Sequence, residues 1–159
     1  QPLAQETIDL RDVARRSLAA MRPLAEAHKL QMHSLIPAHE VRIQGDATAL
    51  ERVMTNLLSN ACKFNHEGGS ILLQIEQTSD GKAVLTVTDT GVGIPAYARE
   101  HIFERFYQAD SSSTRAHDGM GLGLYIAKEI VERHNGQIRF DSEPGAGTTF
   151  TVVLPLAEE

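Results

Sequence analysis

Apolar residues recur at helical spacing in three stretches of the chain. The first stretch covers residues 9–28, and the second covers about 46–64 with its apolar side chains along one face. The third covers about 122–134 and is followed by Asn135 and Gly136, a pair typical of a helix C-cap. The pattern therefore predicts three amphipathic helices.

Alternating apolar residues, bounded by glycine, proline and other turn residues, predict the strands between these helices. The predicted strands are 31–36, 40–44, 70–77, 83–89, 137–142 and 148–154. The turn at 78–81 favours a hairpin between two of them. Helices interleaved with mostly antiparallel strands predict an α+β two-layer sandwich, with a mixed, mainly antiparallel sheet covered on one face by about three helices.

One segment, about 96–120, fits neither pattern because it contains few apolar residues. We expect Phe103 and Phe106 to tuck its base into the core. A long loop inside a compact domain is usually a functional lid or disordered. Since this segment lies between two glycine-rich turns, residues 89–95 and 119–124, we interpret it as a flexible lid over a ligand.

Composition narrows the class of protein. The 159 residues, 42% hydrophobic and 23% charged, predict one globular domain over residues 1–159. A net charge of −6 argues against a nucleic-acid partner, and no apolar run is long enough to suggest a membrane span. The lone Cys62 excludes an internal disulfide, fits a reducing, cytoplasmic compartment, and is interpreted as a small buried hydrophobe. Because Gln1 is not a natural start, we expect a fragment of a larger protein.

Candidate chemistry begins on the second predicted helix, where Asn56, Asn60 and Lys63 lie four and three residues apart. This spacing places them on one narrow stripe beside the apolar face. An asparagine carbonyl is a neutral oxygen ligand that suits Mg²⁺, and a lysine offers a point charge to phosphate. The alternative is an ordinary solvated helix face.

Asp89 ends an apolar strand and opens the first glycine-rich turn. It is either a turn-forming residue or a base-recognition residue. An acceptor-only carboxylate pairs with the exocyclic amine of adenine and repels the carbonyl of guanine, which predicts ATP over GTP. The second glycine-rich turn leads into a helix, whose first N–H groups favour phosphate.

These elements, in this order, resemble the ATP-binding catalytic domain of bacterial sensor histidine kinases. That domain belongs to the superfamily of gyrase-type, chaperone and mismatch-repair ATPases, which share the Bergerat fold. The segments that carry the resemblance are 51–64 (N box), 89–95 (first G box), 102–107 (F box), 119–124 (second G box) and 145–150 (closing glycine motif).

The resemblance implies a role for each matching position. Asn60 is the implied Mg²⁺ ligand, Asn56 and Lys63 complete the catalytic group, and Thr148 reaches adenine through water. Arg105 and Tyr107 help to cover the nucleotide. The full set of implied nucleotide contacts is Asn56, Asn60, Lys63, Asp89, Gly91, Gly93, Ile94, Arg105, Tyr107, Gly119, Met120, Gly121, Leu122, Gly123, Leu124 and Thr148.

The residue at position 56 distinguishes ATP hydrolysis from phosphoryl transfer. ATP-hydrolysing relatives resemble a pattern with glutamate at this position, and asparagine cannot take a proton from water. The implied activity is therefore transfer of the γ-phosphoryl group of ATP–Mg²⁺ to a histidine. The implied partners are the acceptor-histidine helical domain of the same parent protein and a response regulator. The acceptor and sensor domains are absent from this fragment, which we expect to be monomeric, whereas the membrane-bound or hybrid parent is expected to be a homodimer.

Two alternatives stay open, an anti-sigma-type protein serine kinase and a non-catalytic nucleotide-sensing module. The chain also departs from the family pattern. Gln108 stands where many members carry arginine, and Arg115 is a possible substitute. The start of an acceptor motif at His39 is interpreted as coincidence, and His134 as a capping or surface residue.

Overall fold

The computed structural model describes residues 2–105 and 123–158. Its three helices confirm the three predicted from helical spacing, with bounds that differ by one or two residues. The elements in chain order are β1 (Glu6–Asp9), α1 (Leu10–Ala27), β2 (Gln31–Leu35), β3 (Arg42–Gly45), α2 (Ala47–Lys63), β4 (Ser70–Gln77), β5 (Lys82–Asp89), a short 3-10 helix (Ala96–Ala98), α3 (Gly123–Arg133), β6 (Gln137–Glu143) and β7 (Gly147–Pro155).

Five strands form one mixed sheet in the order β2-β4-β5-β7-β6. Only β2 and β4 are parallel, and the other neighbours are antiparallel. Helix α2 packs on β4 and β5, α3 packs on β6 and α2, and α1 packs on α2 and β2. The predicted two-layer sandwich with a mainly antiparallel sheet is confirmed.

The sequence analysis missed β1, which pairs with β3 as a separate two-stranded antiparallel ribbon. Its four residues contain one apolar side chain, Ile8, which lies opposite Ile43 in the register. A strand this short shows no alternation, so its existence depends on a partner more than thirty residues away. The last residue of β1, Asp9, also caps α1 by accepting a hydrogen bond from the Arg11 N–H.

The apolar faces of the helices meet the inward side chains of the central strands. Leu57 and Leu58 of α2 are fully buried, as are Leu73 of β4 and Leu85 of β5. This core holds α2 against the sheet and so determines which of its side chains face the strand ends. None of the helices in the described part of the chain is both long and apolar enough to cross a membrane.

The C-terminal end of α3 follows the predicted cap. Asn135 adopts a positive φ of 63°, and the Gly136 N–H donates to the Val131 carbonyl at 3.0 Å. This is the Schellman pattern, in which a left-handed residue lets the chain reverse and satisfy the last carbonyls. The reversal leads directly into β6.

The surface interpretation of His134 is wrong, because its side chain is only 4% exposed. Its Nε2 accepts the Asp46 N–H at 3.0 Å, and its Nδ1 lies 2.9 Å from the Ile130 carbonyl. Since a carbonyl only accepts and an N–H only donates, the ring is neutral with its hydrogen on Nδ1. His134 therefore caps the beginning of α2, a different helix from its own.

Two further expectations are confirmed. Cys62 is fully buried, and burial raises the pKa of its thiol to about 11, as fits an unreactive hydrophobe. Phe103 packs edge-on against Phe140 and Phe150, with ring centroids 6.0 and 6.2 Å apart. Phe106, the other residue expected to anchor the lid, lies outside the described residues.

Candidate nucleotide-binding site

The polar stripe on α2 comprises Asn56, Asn60 and Lys63, all half-buried along one side of the helix. Asn56 donates through Nδ2 to the carbonyl of Gly123, the first residue of α3, at 3.1 Å. No hydrogen bond joins the Asn60 side chain to another of the described residues. One amide of the stripe thus holds α3, whereas the next has no side-chain partner within 2–105 and 123–158.

Asp89 lies at the end of β5, and its Oδ1 accepts the Gly91 N–H at 2.8 Å. Burial raises the pKa of this carboxyl, and the N–H groups of Gly91 and Thr148 only partly oppose that rise. A carboxylate in this setting has lost water, and no cation among the described residues lowers its pKa. It is well suited to a ligand that brings its own N–H donor.

The first glycine-rich turn docks α2 against the far end of the sheet. The Val92 N–H donates to the Phe64 carbonyl at 3.0 Å, and a Cβ at Gly91 would collide with that same carbonyl. Gly93 has a φ of 78°, and a Cβ there would collide with the Glu143 carbonyl. Only glycine allows this turn to touch the end of α2 on one side and the β6–β7 loop on the other.

Thr148 lies directly opposite Asp89 in the β5–β7 register and is 7% exposed. Its Oγ1 is 2.9 Å from the Oγ of Ser142 on β6. Ser142 Oγ also accepts the Ile94 N–H at 2.7 Å and lies 3.1 Å from the Gly147 carbonyl. This hydroxyl pair links the first glycine-rich turn to β6 and β7.

Sequence reasoning missed Ser142, which is 8% exposed. A serine near the end of a strand reads as an ordinary turn residue. The spacing along the strand was the available signal. Ile138, Phe140 and Ser142 are two residues apart along β6, so their side chains lie on the same face of the sheet. A serine in phase with two apolar residues is a candidate for a buried polar contact.

A cavity at this end of the sheet brings several of these residues together. It extends across the strand ends to residues of both sheet faces, whereas the α2 stripe does not line it. Of the predicted nucleotide contacts, this lining contains Asp89 and Thr148. The lining residues are Thr88, Asp89, Arg99, Asp141, Ser142, Glu143, Ala146, Gly147, Thr148 and Thr149.

The remaining predicted contacts divide into two groups. Gly123 and Leu124 begin α3, Ile94 lies within the first glycine-rich turn, and the Arg105 guanidinium lies 5.7 Å from the centre of the Tyr125 ring. The other group lies outside the described residues, as do Gln108 and Arg115. That group is Tyr107, Gly119, Met120, Gly121 and Leu122.

Known proteins place this sandwich in the class of ATPase domains found in histidine kinases. The family described as "Histidine kinase-, DNA gyrase B-, and HSP90-like ATPase" matches residues 45–158, and the chain belongs to that family. The circadian input-output histidine kinase CikA of Thermosynechococcus vestitus is 39% identical over 99% of this chain. The chain spans 22% of the length of that relative, so it corresponds to one part of a larger kinase.

Solved structures give the same class. The mycobacterial sensor histidine kinase MprB superposes with a TM-score of 0.83 at 31% identity, over 98% of this chain and 100% of that chain. Full-length ShkA, determined in complex with AMPPNP, superposes with a TM-score of 0.84 at 28% identity, over 100% of this chain and 32% of that chain. Family membership implies an ATP site, and the fold is that of a histidine-kinase catalytic domain.

Proposed function

We propose that this chain binds ATP–Mg²⁺ and donates the γ-phosphoryl group to a histidine of a separate helical dimerisation domain in two-component signalling. The observation that carries the proposal is Asn56, whose amide is bonded to the Gly123 carbonyl and cannot act as a base. A site without a water-activating group favours transfer over hydrolysis. An imidazole needs no such activation, so positioning and charge neutralisation suffice.

The proposed metal ligand is Asn60. Its side chain is half-buried and makes no hydrogen bond to another described residue, which leaves its carbonyl oxygen available. Mg²⁺ usually keeps several waters and takes one or two protein oxygens besides phosphate, so a single amide oxygen fits. A bound Mg²⁺ would neutralise charge on the phosphates, and Lys63 and Asn56 would flank them.

The proposed base site is the end of β5. Asp89 would accept the exocyclic amine of adenine, and Thr148 would contact the base through water. Gly91, Gly93 and Ile94 would form the wall of the pocket. The segment about 96–120 would act as the lid, with Arg105, Tyr107 and the second glycine-rich turn (119–124) covering the phosphates.

The proposed partners follow from the relatives, which are sensor kinases several times longer than this chain. The acceptor-histidine domain would belong to the same parent protein, and a response regulator would receive the phosphoryl group next. We propose a monomeric fragment from a homodimeric parent that is membrane-bound or hybrid. ATP supply places the site on the cytoplasmic side.

Transfer from labelled ATP to a purified acceptor hairpin tests the proposal. We expect an acid-labile phosphohistidine that forms only with Mg²⁺. Asn60→Ala should abolish transfer while Mg²⁺-free nucleotide binding persists, because Asp89 rather than Asn60 is the proposed base contact. Thr55→Ala, which removes a hydroxyl bonded to the Arg52 carbonyl on another side of α2, is the matched control and should transfer normally.

Each other outcome has a definite meaning. An acid-stable product on a partner hydroxyl would replace the proposal by an anti-sigma-type serine kinase. Nucleotide binding without transfer to any acceptor hairpin would leave a nucleotide-sensing module. Full transfer by Asn60→Ala would remove this residue from the metal site.

A further inference from the structure

Ser142 holds an unusual position among the polar residues of the candidate site. It is buried, and three groups crowd its hydroxyl: the Ile94 N–H at 2.7 Å, the Thr148 hydroxyl at 2.9 Å and the Gly147 carbonyl at 3.1 Å. A serine hydroxyl has one hydrogen and two lone pairs. The three neighbours therefore use its whole hydrogen-bonding capacity.

Only one assignment of hydrogens makes all three contacts favourable. The Ile94 N–H can only donate and the Gly147 carbonyl can only accept, so Ser142 accepts from the first and donates to the second. Its hydrogen is then used, and the Thr148 hydroxyl must donate to Ser142. The opposite choice would leave two acceptor oxygens 3.1 Å apart with no hydrogen between them.

This assignment decides what Thr148 offers to the cavity. With its hydrogen directed at Ser142, Thr148 Oγ1 has only lone pairs left. Thr148 lies opposite Asp89 in the register, and both residues line the same cavity. The described wall of the cavity thus presents two acceptors side by side.

We infer that Ser142 is a positioning residue for base selection, because it holds the Thr148 hydroxyl as an acceptor beside the Asp89 carboxylate. The inference rests on the proposed ATP-binding function. Two acceptors match a base edge that carries an amine, directly or through one water. They disfavour a base edge with a carbonyl at that place, as in inosine or guanine nucleotides.

The strands around Ser142 keep this hydroxyl in place. Arg99 donates to the Ser142 carbonyl at 2.7 Å, and the Arg99 guanidinium lies 5.1 Å from the centre of the Phe140 ring. On the other side, the Gly145 N–H donates to the Val92 carbonyl at 2.7 Å. The backbone around Ser142 is therefore held from two directions. Loss of the Ser142 hydroxyl should then change the local hydrogen bonds more than the position of the backbone.

The test compares ATP with inosine triphosphate, in which a carbonyl replaces the amine at C6 and N1 carries a hydrogen. Calorimetry on this chain should show that ATP binds more tightly. In Ser142→Ala the Thr148 hydroxyl can turn its hydrogen toward the cavity, so the ratio of the two dissociation constants should fall by about three- to tenfold. Ser17→Ala is the matched control, because it removes another buried serine hydroxyl, which donates to the Val13 carbonyl at 2.8 Å within α1 and does not line the cavity.

A double-mutant cycle separates this role from a general structural one. If Ser142 acts through Thr148, Ser142→Ala should leave the ratio unchanged in a Thr148→Val background. Equal weakening of both nucleotides by Ser142→Ala, with the ratio preserved, would overturn the inference. Should Ser142→Ala unfold, Ser142→Cys keeps the shape but offers the Thr148 hydroxyl only a weak sulfur acceptor, so the ratio of the two dissociation constants should again fall.

The proposed ATP-binding function and the proposed role of Ser142 can be contradicted separately. If the unmodified chain binds neither nucleotide, the proposed function fails and the inference fails with it. If the chain binds ATP in preference to inosine triphosphate but Ser142→Ala keeps that preference, only the role of Ser142 is lost.

Discussion

Two aspartates, one at the start of α2 and one at the end of β5, accept backbone hydrogen bonds. The pKa of the first carboxyl is lowered, whereas the pKa of the second is raised. Asp46 begins α2 and accepts the N–H groups of Ala4 at 2.9 Å and Ala49 at 3.0 Å, and these bonds lower the pKa of its carboxyl. Asp89 ends β5 and also has backbone donors, but burial raises the pKa of its carboxyl. The number of donors is similar, but backbone hydrogen bonds have the largest effect on the pKa of Asp46 and desolvation has the largest effect on the pKa of Asp89.

The difference separates a structural region from a binding region. At Asp46 the polar groups are satisfied within the protein, since His134 accepts even the Asp46 N–H. At Asp89 the ionised carboxylate is desolvated without a cationic partner among the described residues, so the folded state carries a cost that a ligand donor would relieve. We expect substitutions at Asp89 to change binding and those at Asp46 to change stability.

The largest expected effect comes from Asp89→Asn. Loss of the charged acceptor should weaken ATP binding by about ten- to a hundredfold, the range for a hydrogen bond to a charged group. The melting temperature should stay the same or rise, because a desolvated charge is removed. Calorimetry and thermal unfolding measure the two quantities. Asp46→Asn is the control and should bind ATP as the unmodified chain does.

His134→Leu tests whether the hydrogen bond from the Asp46 N–H to His134 stabilises the start of α2. It leaves the partly buried Asp46 N–H without its acceptor, which should lower the free energy of unfolding by about 1–3 kcal/mol. Denaturant unfolding measures the loss. His134→Gln supplies both an acceptor and a donor and should recover part of it, whereas equal losses in the two variants would show that packing alone matters.

Asp46→Ala should have a smaller effect on the same region. Removal of an N-cap carboxylate costs about 1 kcal/mol, and each kcal/mol lowers the melting temperature of a domain of this size by about 2–4 °C. ATP affinity should not change. A loss of affinity comparable to that of Asp89→Asn would erase the distinction between the two regions.

Acidification should have the smallest effect on stability, and its effect should have opposite signs at Asp46 and Asp89. The pKa of Asp46 is lowered from 3.8, so its contribution to stability is present above that value and is lost as the pH falls through the folded-state pKa. The pKa of Asp89 is raised from 3.8, so its contribution is present below that value and is lost as the pH rises through the folded-state pKa.

Unfolding measured from pH 7 down to pH 3 on Asp46→Asn and Asp89→Asn checks both signs. The stability deficit of Asp46→Asn should shrink as the pH falls. The stability gain of Asp89→Asn should also shrink. ATP affinity of the unmodified chain should decline over the same acidic range as Asp89 becomes protonated. A pH-independent difference between either variant and the unmodified chain would contradict the corresponding sign.

Local pattern was enough to predict the three helices and most strands of the sheet. Helical spacing and capping involve residues within a few positions of each other, as at Asp9 with Arg11. The missed features depend on distant partners: β1 on β3, His134 on Asp46 across 88 positions, and Ser142 on Ile94 across 48 positions. No periodicity links such pairs, so their existence becomes visible only when the elements pack.

The candidate site shows the same division. The sequence by itself determined the polar stripe of α2, the carboxylate at the end of β5 and the glycines that allow the first turn, because these depend on spacing and residue type. Tertiary structure alone decided that desolvation outweighs the backbone hydrogen bonds at Asp89 and not at Asp46, and that Ser142 directs the Thr148 hydroxyl. Burial and hydrogen-bond direction depend on what surrounds a group in space, and folding brings those surroundings from remote parts of the chain.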